Sequence, residues 1–230
     1  MMDNTTEDEA TFLGRWSQLA HRLGLTLDLS ADTAMRLFEG YTGSDRHYHG
    51  ICHILSMLED FDRLKEEFKQ PFAVELVIFF HDLIYDASRS DNETRSAEEL
   101  RKALGNELAG KLIRSACFMI EATKAHTATG DADTDLLIDL DMAILGSDWA
   151  TYARYAEGVM KEYVPVYGEE AYRRGRVEKF LRPVIDGGKI FLTPFFEPLT
   201  AQAIDNLRRE AALLESGASF AGRPHEIPER

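Results

Sequence analysis

The stretch Pro71-Phe-Ala-Val-Glu-Leu-Val-Ile-Phe-Phe-His-Asp-Leu-Ile-Tyr85 is a nearly continuous apolar run. A proline at the first turn of a helix costs no hydrogen bond, so Pro71 predicts the start of a helix. Apolar residues dominate from Phe72 to Ile84, which predicts burial on most sides. We therefore expect this segment to be the central helix of the core.

The rest of the chain also shows helical rather than strand period. This period predicts an all-α protein, a compact single-domain helical bundle over residues 11–215. A flexible N-terminus is expected over residues 1–10. Residues 216–230 are rich in Gly, Ser and Pro and are expected to form a disordered tail. The other predicted helices carry Phe12 to Leu23; Met35 to Phe38 after a Ser30 cap; His49 to Phe61 from near Ser44 or Asp45; Ala97 to Leu104 after a loop over Asp86 to Thr94; Leu108 to Thr123; Leu136 to Leu145 after an Asp133 or Thr134 cap; Trp149 to Val164; and a last one through Leu214 after a Thr200 cap.

Composition and charge restrict the class of partner. The 230 residues are 44% hydrophobic, and 40 acidic against 26 basic residues give a formal net charge of −14. Such a charge repels phosphate backbones and anionic lipid, so neither duplex nucleic acid nor a membrane is expected as a partner. No signal-like start or spanning segment is seen, which predicts a cytoplasmic protein. The sequence leaves the oligomeric state open, including a homo-oligomer.

The dipeptide His81-Asp82 interrupts the apolar run with two ionisable groups. Such groups are rarely buried without a partner, and a bound metal ion satisfies both at once. Further upstream, His49 and His53 are four residues apart, a spacing that on a helix places both imidazoles on one face. Either of them is a candidate ligand.

A further carboxylate lies in the apolar segment Leu136 to Leu145, where Asp139 and Asp141 point to different helical faces. Asp141 has apolar neighbours three and four residues away, so it is expected to be the buried ligand, with Asp139 hydrogen-bonded behind it. Two imidazoles and two carboxylates suit Mn²⁺, Fe²⁺, Co²⁺, Ni²⁺ or Zn²⁺, and Mg²⁺ less naturally. The identity of the divalent metal ion is left open.

The order His, His-Asp, Asp resembles the HD superfamily of metal-dependent phosphohydrolases, and in particular bacterial members without an assigned substrate. The similarity extends from about Thr11 to Leu214. It is carried by the segments Arg46-His-Tyr-His49-Gly-Ile-Cys-His53-Ile, Phe79-Phe-His-Asp-Leu-Ile-Tyr-Asp86, Asn92-Glu93, Ser96-Ala97, Ile120 to His126, Asp139-Leu-Asp-Met-Ala-Ile-Leu-Gly146, Tyr172-Arg-Arg-Gly-Arg176 and Ala203-Ile-Asp-Asn-Leu207.

The resemblance implies hydrolysis of a nucleotide or another small phosphate ester by a metal-activated water. The implied ligands are His49, His81, Asp82 and Asp141, with His53 competing for the place of His49. Many HD enzymes continue the central motif with glycine and lysine. Leu83-Ile-Tyr85 stands there instead, which removes support for the lysine-dependent signalling-nucleotide subgroups.

Other roles follow from the same resemblance and from side-chain chemistry. Asp82 is a candidate proton acceptor, and Glu93 a candidate general acid or substrate contact. Arg46 and Arg176 are expected to hold phosphate oxygens, with a surface ion pair as the alternative for each. His53 and His126 are further expected substrate contacts. A single metal ion is expected, and the alternative with two metals would use His126 as an additional ligand. The competing functions are a di-iron HD-type oxygenase and a non-catalytic nucleotide-binding regulatory protein.

Overall fold

Helices are the only regular secondary structure in residues 4–220, the part of the chain that the computed structural model describes. The predicted all-α class is thereby confirmed. The chain divides between Asp141 and Met142 into two compact units, a division that the sequence did not predict. The helices of the first unit are α1 (Asn4–Arg22), α2 (Leu27–Tyr41), α3 (Ile51–Leu64), α4 (Pro71–Phe80), α5 (Asn92–Leu104), α6 (Gly110–Thr123) and α7 (Ala132–Met142), whose last residue lies past the division.

The helix α4 is the core helix of the first unit, as its apolar sequence predicts. Every residue from Ala73 to Phe80 along it is buried, and α4 packs against α1, α3, α5 and α6. Phe12 and Trp16 of α1 meet Phe79 edge to face, each at 5.4 Å between ring centroids. Burial of so many large side chains holds the C-terminal end of α4, which carries His81, in one place.

The start of α4 is held by a carboxylate from another helix. The backbone N–H groups of Lys69 and Gln70 donate to Asp133 at 2.9 and 2.7 Å, and a negative charge at a helix N-terminus is favourable. The prediction that Asp133 or Thr134 caps its own helix is wrong. At the start of α7, Asp131 accepts the N–H of Thr134 at 2.9 Å, which leaves Asp133 to stabilise α4.

The helix α3 begins later than the sequence predicts, at Ile51 rather than near Ser44 or Asp45. The preceding residues form turns that are held by hydrogen bonds within the loop. His49 therefore precedes the helix. Its four-residue spacing from His53 does not place the two imidazoles on one helical face.

Two other helices also start at unexpected positions. The helix α1 begins at Asn4, within the segment 1–10 that was predicted to be flexible. The helix α5 begins at Asn92, inside the predicted loop, because the Asn92 side chain exchanges hydrogen bonds of 3.2 and 3.0 Å with the backbone of Asp86 and so fixes the return of the chain.

The second unit is built around its last helix, which packs on the three others. Asn206 of that helix donates to the carbonyls of Leu145 and Ser147 at 2.9 and 2.8 Å. Thr200 is its first residue and makes no capping bond, contrary to the prediction. The helices of this unit are α8 (Trp149–Tyr167), α9 (Glu169–Arg176), α10 (Arg182–Gly187), which follows a π-helical turn at Val177–Leu181, and α11 (Thr200–Ser216).

Within the described residues, no helix has both the length and the apolar character that crossing a bilayer requires. The predicted disordered tail starts at Ser216, the last residue of α11. Residues 1–3 and 221–230 lie outside the described part of the chain, and most of the predicted tail falls within the second of these ranges.

Candidate metal centre

Four side chains of the first unit converge at the C-terminal end of α4. His53 comes from the first turn of α3, and His81 directly follows the last residue of α4. Asp82 lies in the turn beyond His81, and Asp141 lies near the end of α7. Three separate segments of the chain supply them, so the packing of three helices is what brings them together.

The distances between their nitrogen and oxygen atoms are those of a ligand set. The two Nε2 atoms of His53 and His81 are 3.3 Å apart. An Oδ1 atom of Asp141 is 3.2 Å from His53 Nε2 and 3.8 Å from His81 Nε2. The Oδ2 atom of Asp82 is 3.2 Å from His81 Nε2 and 3.9 Å from His53 Nε2.

These separations fit a single divalent cation. Ligand atoms at about 2.1 Å from a metal lie roughly 3.0–3.4 Å apart in octahedral or tetrahedral arrangements. His53, His81 and Asp82 each offer an atom within 4.8 Å of the others, and the cluster is therefore able to hold a metal ion. Asp141 lies beside these three residues, in contact with both imidazoles.

Hydrogen bonds on the far sides of the rings orient both imidazoles. The Nδ1 atom of His81 lies 3.1 Å from the carbonyl oxygen of Ile78. Because a carbonyl only accepts, Nδ1 carries a proton there, and Nε2 is the ring nitrogen that faces the cluster. The hydroxyl of Tyr48 lies 3.1 Å from Nδ1 of His53 and orients that ring in the same way. Such outer partners are typical of metal-bound histidines.

The charges in the cluster support each other. Burial alone would lower the pKa of His81, but Asp82 and Asp141 outweigh it and raise the pKa to about 9. Burial would raise the pKa of Asp82, yet neighbouring His81 holds it well below its ordinary value. The pKa of Asp141 is also held low, against burial, by His126 and His53. Both carboxylates are thus ionised at neutral pH, as metal ligands must be.

His126 lies at the outer side of the same cluster. Its Nε2 atom is 3.4 Å from Oδ2 of Asp141, the oxygen opposite the one nearest His53, and its side chain is 36% exposed. The backbone of His126 has φ 47°, a left-handed conformation that is uncommon for residues other than glycine. Strained backbone of this kind often persists at functional sites because the surroundings enforce it.

His53, the alternative to the preferred first ligand His49, lies against His81 and both carboxylates. The His49 ring stacks on Tyr85 at 4.2 Å between centroids and lies 6.1 Å from the His53 ring. Its charge still lowers the pKa of Asp82, so it lies near the cluster. Ligation by His49 stays a prediction, whereas His53 has the ligand geometry.

For the last ligand, Asp141 is the aspartate with close contacts to the imidazoles, as expected. However, the argument from the sequence, that Asp141 is the more buried of the two aspartates, was wrong. Asp139 is completely buried, whereas the side chain of Asp141 is 16% exposed. The direction of the side chain, rather than its degree of burial, brings Asp141 to the cluster.

The expected phosphate-binding arginines are both engaged with protein atoms. Arg46 donates to three backbone carbonyls near the cluster at 2.8–2.9 Å. Arg176 belongs to the second unit, where it donates to Glu210 at 3.0 Å and to Tyr155 at 2.9 Å. Arg176 thus forms an ion pair, but a buried one rather than the surface pair that the sequence offered as the alternative. Neither set of bonds provides support for a contact with phosphate.

The last expected residue, Glu93, lies in the first turn of α5. Its carboxylate is 3.9 Å from Nζ of Lys124. Its role as general acid or substrate contact stays a prediction. Tyr48 was missed by sequence reasoning, although its place directly before the candidate His49 was a signal for an outer hydrogen-bond partner.

A cavity of about 450 Å³ lies elsewhere in the first unit, between α1, α3 and α4. It is lined by charged side chains that already pair with one another, because Arg22 donates to Glu75 at 2.6 Å and Arg15 donates to Asp62 at 2.8 Å. Paired charges leave little unsatisfied capacity for a ligand, so the histidine cluster is the stronger candidate site.

A comparison with protein-family models finds no match, and a comparison with curated proteins finds none either. The chemistry of this centre therefore rests on its own residues and their geometry.

Proposed function

We propose that the chain is an HD-type metal-dependent phosphohydrolase that acts on a nucleotide or another small phosphate ester. The observation that carries this proposal is the convergence of His53, His81, Asp82 and Asp141, with the nitrogen–nitrogen and nitrogen–oxygen separations of a ligand set. The cytoplasmic location and the anionic substrate expected from the sequence belong to the same proposal.

His53, His81, Asp82 and Asp141 would hold the metal. A bound divalent cation would supply Lewis-acid charge to a phosphoryl oxygen and lower the pKa of water next to it. The hydrogen bond from His81 Nδ1 to Ile78 keeps the opposite ring nitrogen directed at the site. The lowered pKa of Asp82 makes it a weak proton acceptor, which favours the role of ligand over that of general base.

His126 gives the site its substrate-facing side. It is the partly exposed imidazole of the cluster, next to the carboxylate of Asp141. An imidazole N–H in this position is suited to donate to a phosphate oxygen. The cation together with His126 would attract an anionic ester despite the net charge of −14 on the whole chain.

The test has two stages on one preparation. Protein purified without added metal is analysed for metal content, and the same sample with Mn²⁺, Co²⁺ or Ni²⁺ is assayed for phosphate release from a panel of nucleotides and phosphomonoesters. We expect His81→Ala and Asp82→Ala to lose metal and activity together, whereas His21→Ala, at an exposed histidine of α1, keeps both. Bound metal without turnover across the panel would refute the catalytic proposal.

A second candidate function is supported by the position of His126. Through this contact with Asp141, His126 together with that carboxylate would help to hold a second metal ion, which a di-iron oxygenase requires. Two irons per chain with oxygen consumption coupled to product formation would favour this function, and a single ion per chain would exclude it.

A further inference from the structure

We propose that Arg46 is a positioning residue, which fixes the turn carrying Asp82 and so shapes the metal centre from outside. The inference rests on the proposed metal-binding function. It replaces the phosphate contact that the sequence predicted for this arginine with a role inside the protein.

The guanidinium of Arg46 joins two segments that are distant in sequence. Its Nη1 atom donates to the carbonyl oxygens of His49 at 2.9 Å and Asp82 at 2.8 Å, and its Nη2 atom donates to the carbonyl of Leu83 at 2.9 Å. Both protons of Nη1 are thereby used. The bonds tie the loop before α3 to the turn that follows α4.

The turn after α4 needs such a partner. The last carbonyls of a helix and those just beyond it have no partner within the helix, and α4 ends at Phe80. The planar fork of Arg46 meets two consecutive carbonyls there. It also brings positive charge to a helix C-terminus, which is favourable. With the backbone of Asp82 fixed in this way, its carboxylate is held 3.2 Å from His81.

Two aromatic rings hold the guanidinium in place. The Arg46 Cζ atom lies 5.4 Å from the ring centre of Tyr41 and 5.1 Å from that of Tyr85. Tyr41 is itself fixed, because its hydroxyl donates to the carbonyl of Phe79 at 3.1 Å. Lysine cannot replace arginine here, since a single ammonium lacks the planar array of donors that reaches three carbonyls at once.

The test measures metal affinity, so it does not depend on finding a substrate. The dissociation constant for Co²⁺ is measured by titration of metal-free protein, and the visible absorption of bound Co²⁺ reports its coordination geometry. We expect Arg46→Lys to weaken binding by about ten-fold or more, as loss of an outer partner usually does, and to change the Co²⁺ spectrum. Tyr85→Leu, which removes one of the two rings, should give a smaller loss of Co²⁺ affinity. This variant tests the proposal if Arg46→Lys does not fold.

A matched control separates positioning from general stability. Thr26 accepts the N–H of Leu29 at 3.3 Å at the start of α2, the opposite end of that helix from Tyr41, so Thr26→Ala should lower the thermal midpoint while leaving the Co²⁺ affinity and spectrum unchanged. If the Co²⁺ affinity and spectrum are unaltered in both Arg46→Lys and Tyr85→Leu, the proposed role of Arg46 is overturned, but the proposed metal centre is not. Absence of Co²⁺ binding by the unmodified protein would overturn the proposed metal centre as well.

Discussion

The Nε2 atoms of His53 and His81 face each other at 3.3 Å across 28 residues of sequence. In the neutral ring of His81 this nitrogen carries a lone pair, because the opposite nitrogen donates to Ile78. Two imidazole nitrogens turned toward each other in a buried place need a cation or a shared proton between them. The flanking carboxylates of Asp82 and Asp141 supply the negative charge that a divalent cation requires.

The choice between His53 and His49 as first ligand leads to the first prediction. We expect His53→Ala to lower the Co²⁺ affinity by more than about 100-fold, since losing a ligand exceeds the roughly 10–100-fold cost of losing an outer partner. His49→Ala, whose ring stacks on Tyr85, should retain most of the affinity. Titration of both variants with Co²⁺ measures the difference. The reverse order of effects would restore His49 as the ligand.

Metal removal should lower the stability of the folded chain. An ion that binds only the native state stabilises it by about 2.7 kcal/mol at a free concentration 100 times its Kd. In addition, the ionised side chains of Asp82 and Asp141 repel each other when no cation is present. Thermal unfolding with and without a chelator measures the effect. His81→Ala is the control, because its midpoint should not respond to metal, and a response equal to that of the unmodified protein would argue against this site.

The sequence predicted the parts of the molecule that local pattern determines. The apolar run predicted the buried helix α4, and the polar pair His81-Asp82 within it marked the site, because burial of two ionisable groups requires a partner whatever the fold. Asp141 does lie against both imidazoles, but the burial that the sequence argument relied on belongs to Asp139.

The parts that were missed depend on contacts between distant segments. The helix predicted from Ser44 or Asp45 is instead a loop, and bonds from Arg46 to Asp82 and Leu83, which are 36 and 37 residues away, hold it in turns. Spacing along the sequence carries no information about such bonds. For the same reason, Arg46 and Arg176 were both predicted to bind phosphate, although each forms hydrogen bonds with protein atoms.

The start of α8 provides a prediction on pH. Asp148 accepts the N–H groups of Ala150 and Thr151 at 2.9 and 3.1 Å, and the bonds from Thr151 hold the pKa of this carboxyl below its ordinary value of 3.8. Because the pKa of Asp148 is lower in the folded state, its charged form stabilises the fold at pH values above the ordinary pKa. This contribution is lost as the pH falls through the folded-state value.

We therefore expect Asp148→Ala to lower the thermal midpoint at pH 7, with the difference from the unmodified protein shrinking as the pH falls below about 3.8. Asp148→Asn is the control, because asparagine also caps a helix but does not titrate. Thermal unfolding from pH 7 to 3 measures all three proteins. A difference that is independent of pH would show that the charge of Asp148 is not involved.

The second unit contains a buried ion pair whose loss should be costly. Glu210 is completely buried and accepts from Arg176 at 3.0 Å and from the hydroxyl of Tyr152. Burial alone would lower the pKa of Arg176, but Glu210 raises it above its ordinary value. Glu210→Leu leaves this charge buried without its partner, so we expect the free energy of unfolding to fall by about 3–5 kcal/mol.

Adding Arg176→Met to Glu210→Leu should recover most of that loss, because replacing a whole buried ion pair by apolar side chains is often close to neutral. Urea unfolding of the single and double variants gives the coupling between the two side chains. Glu215→Ala breaks the exposed pair with Arg182 and should have a much smaller effect. If the double variant were no more stable than Glu210→Leu, the cost would come from lost packing or from the Tyr152 hydroxyl, and the charge of Arg176 would not be its cause.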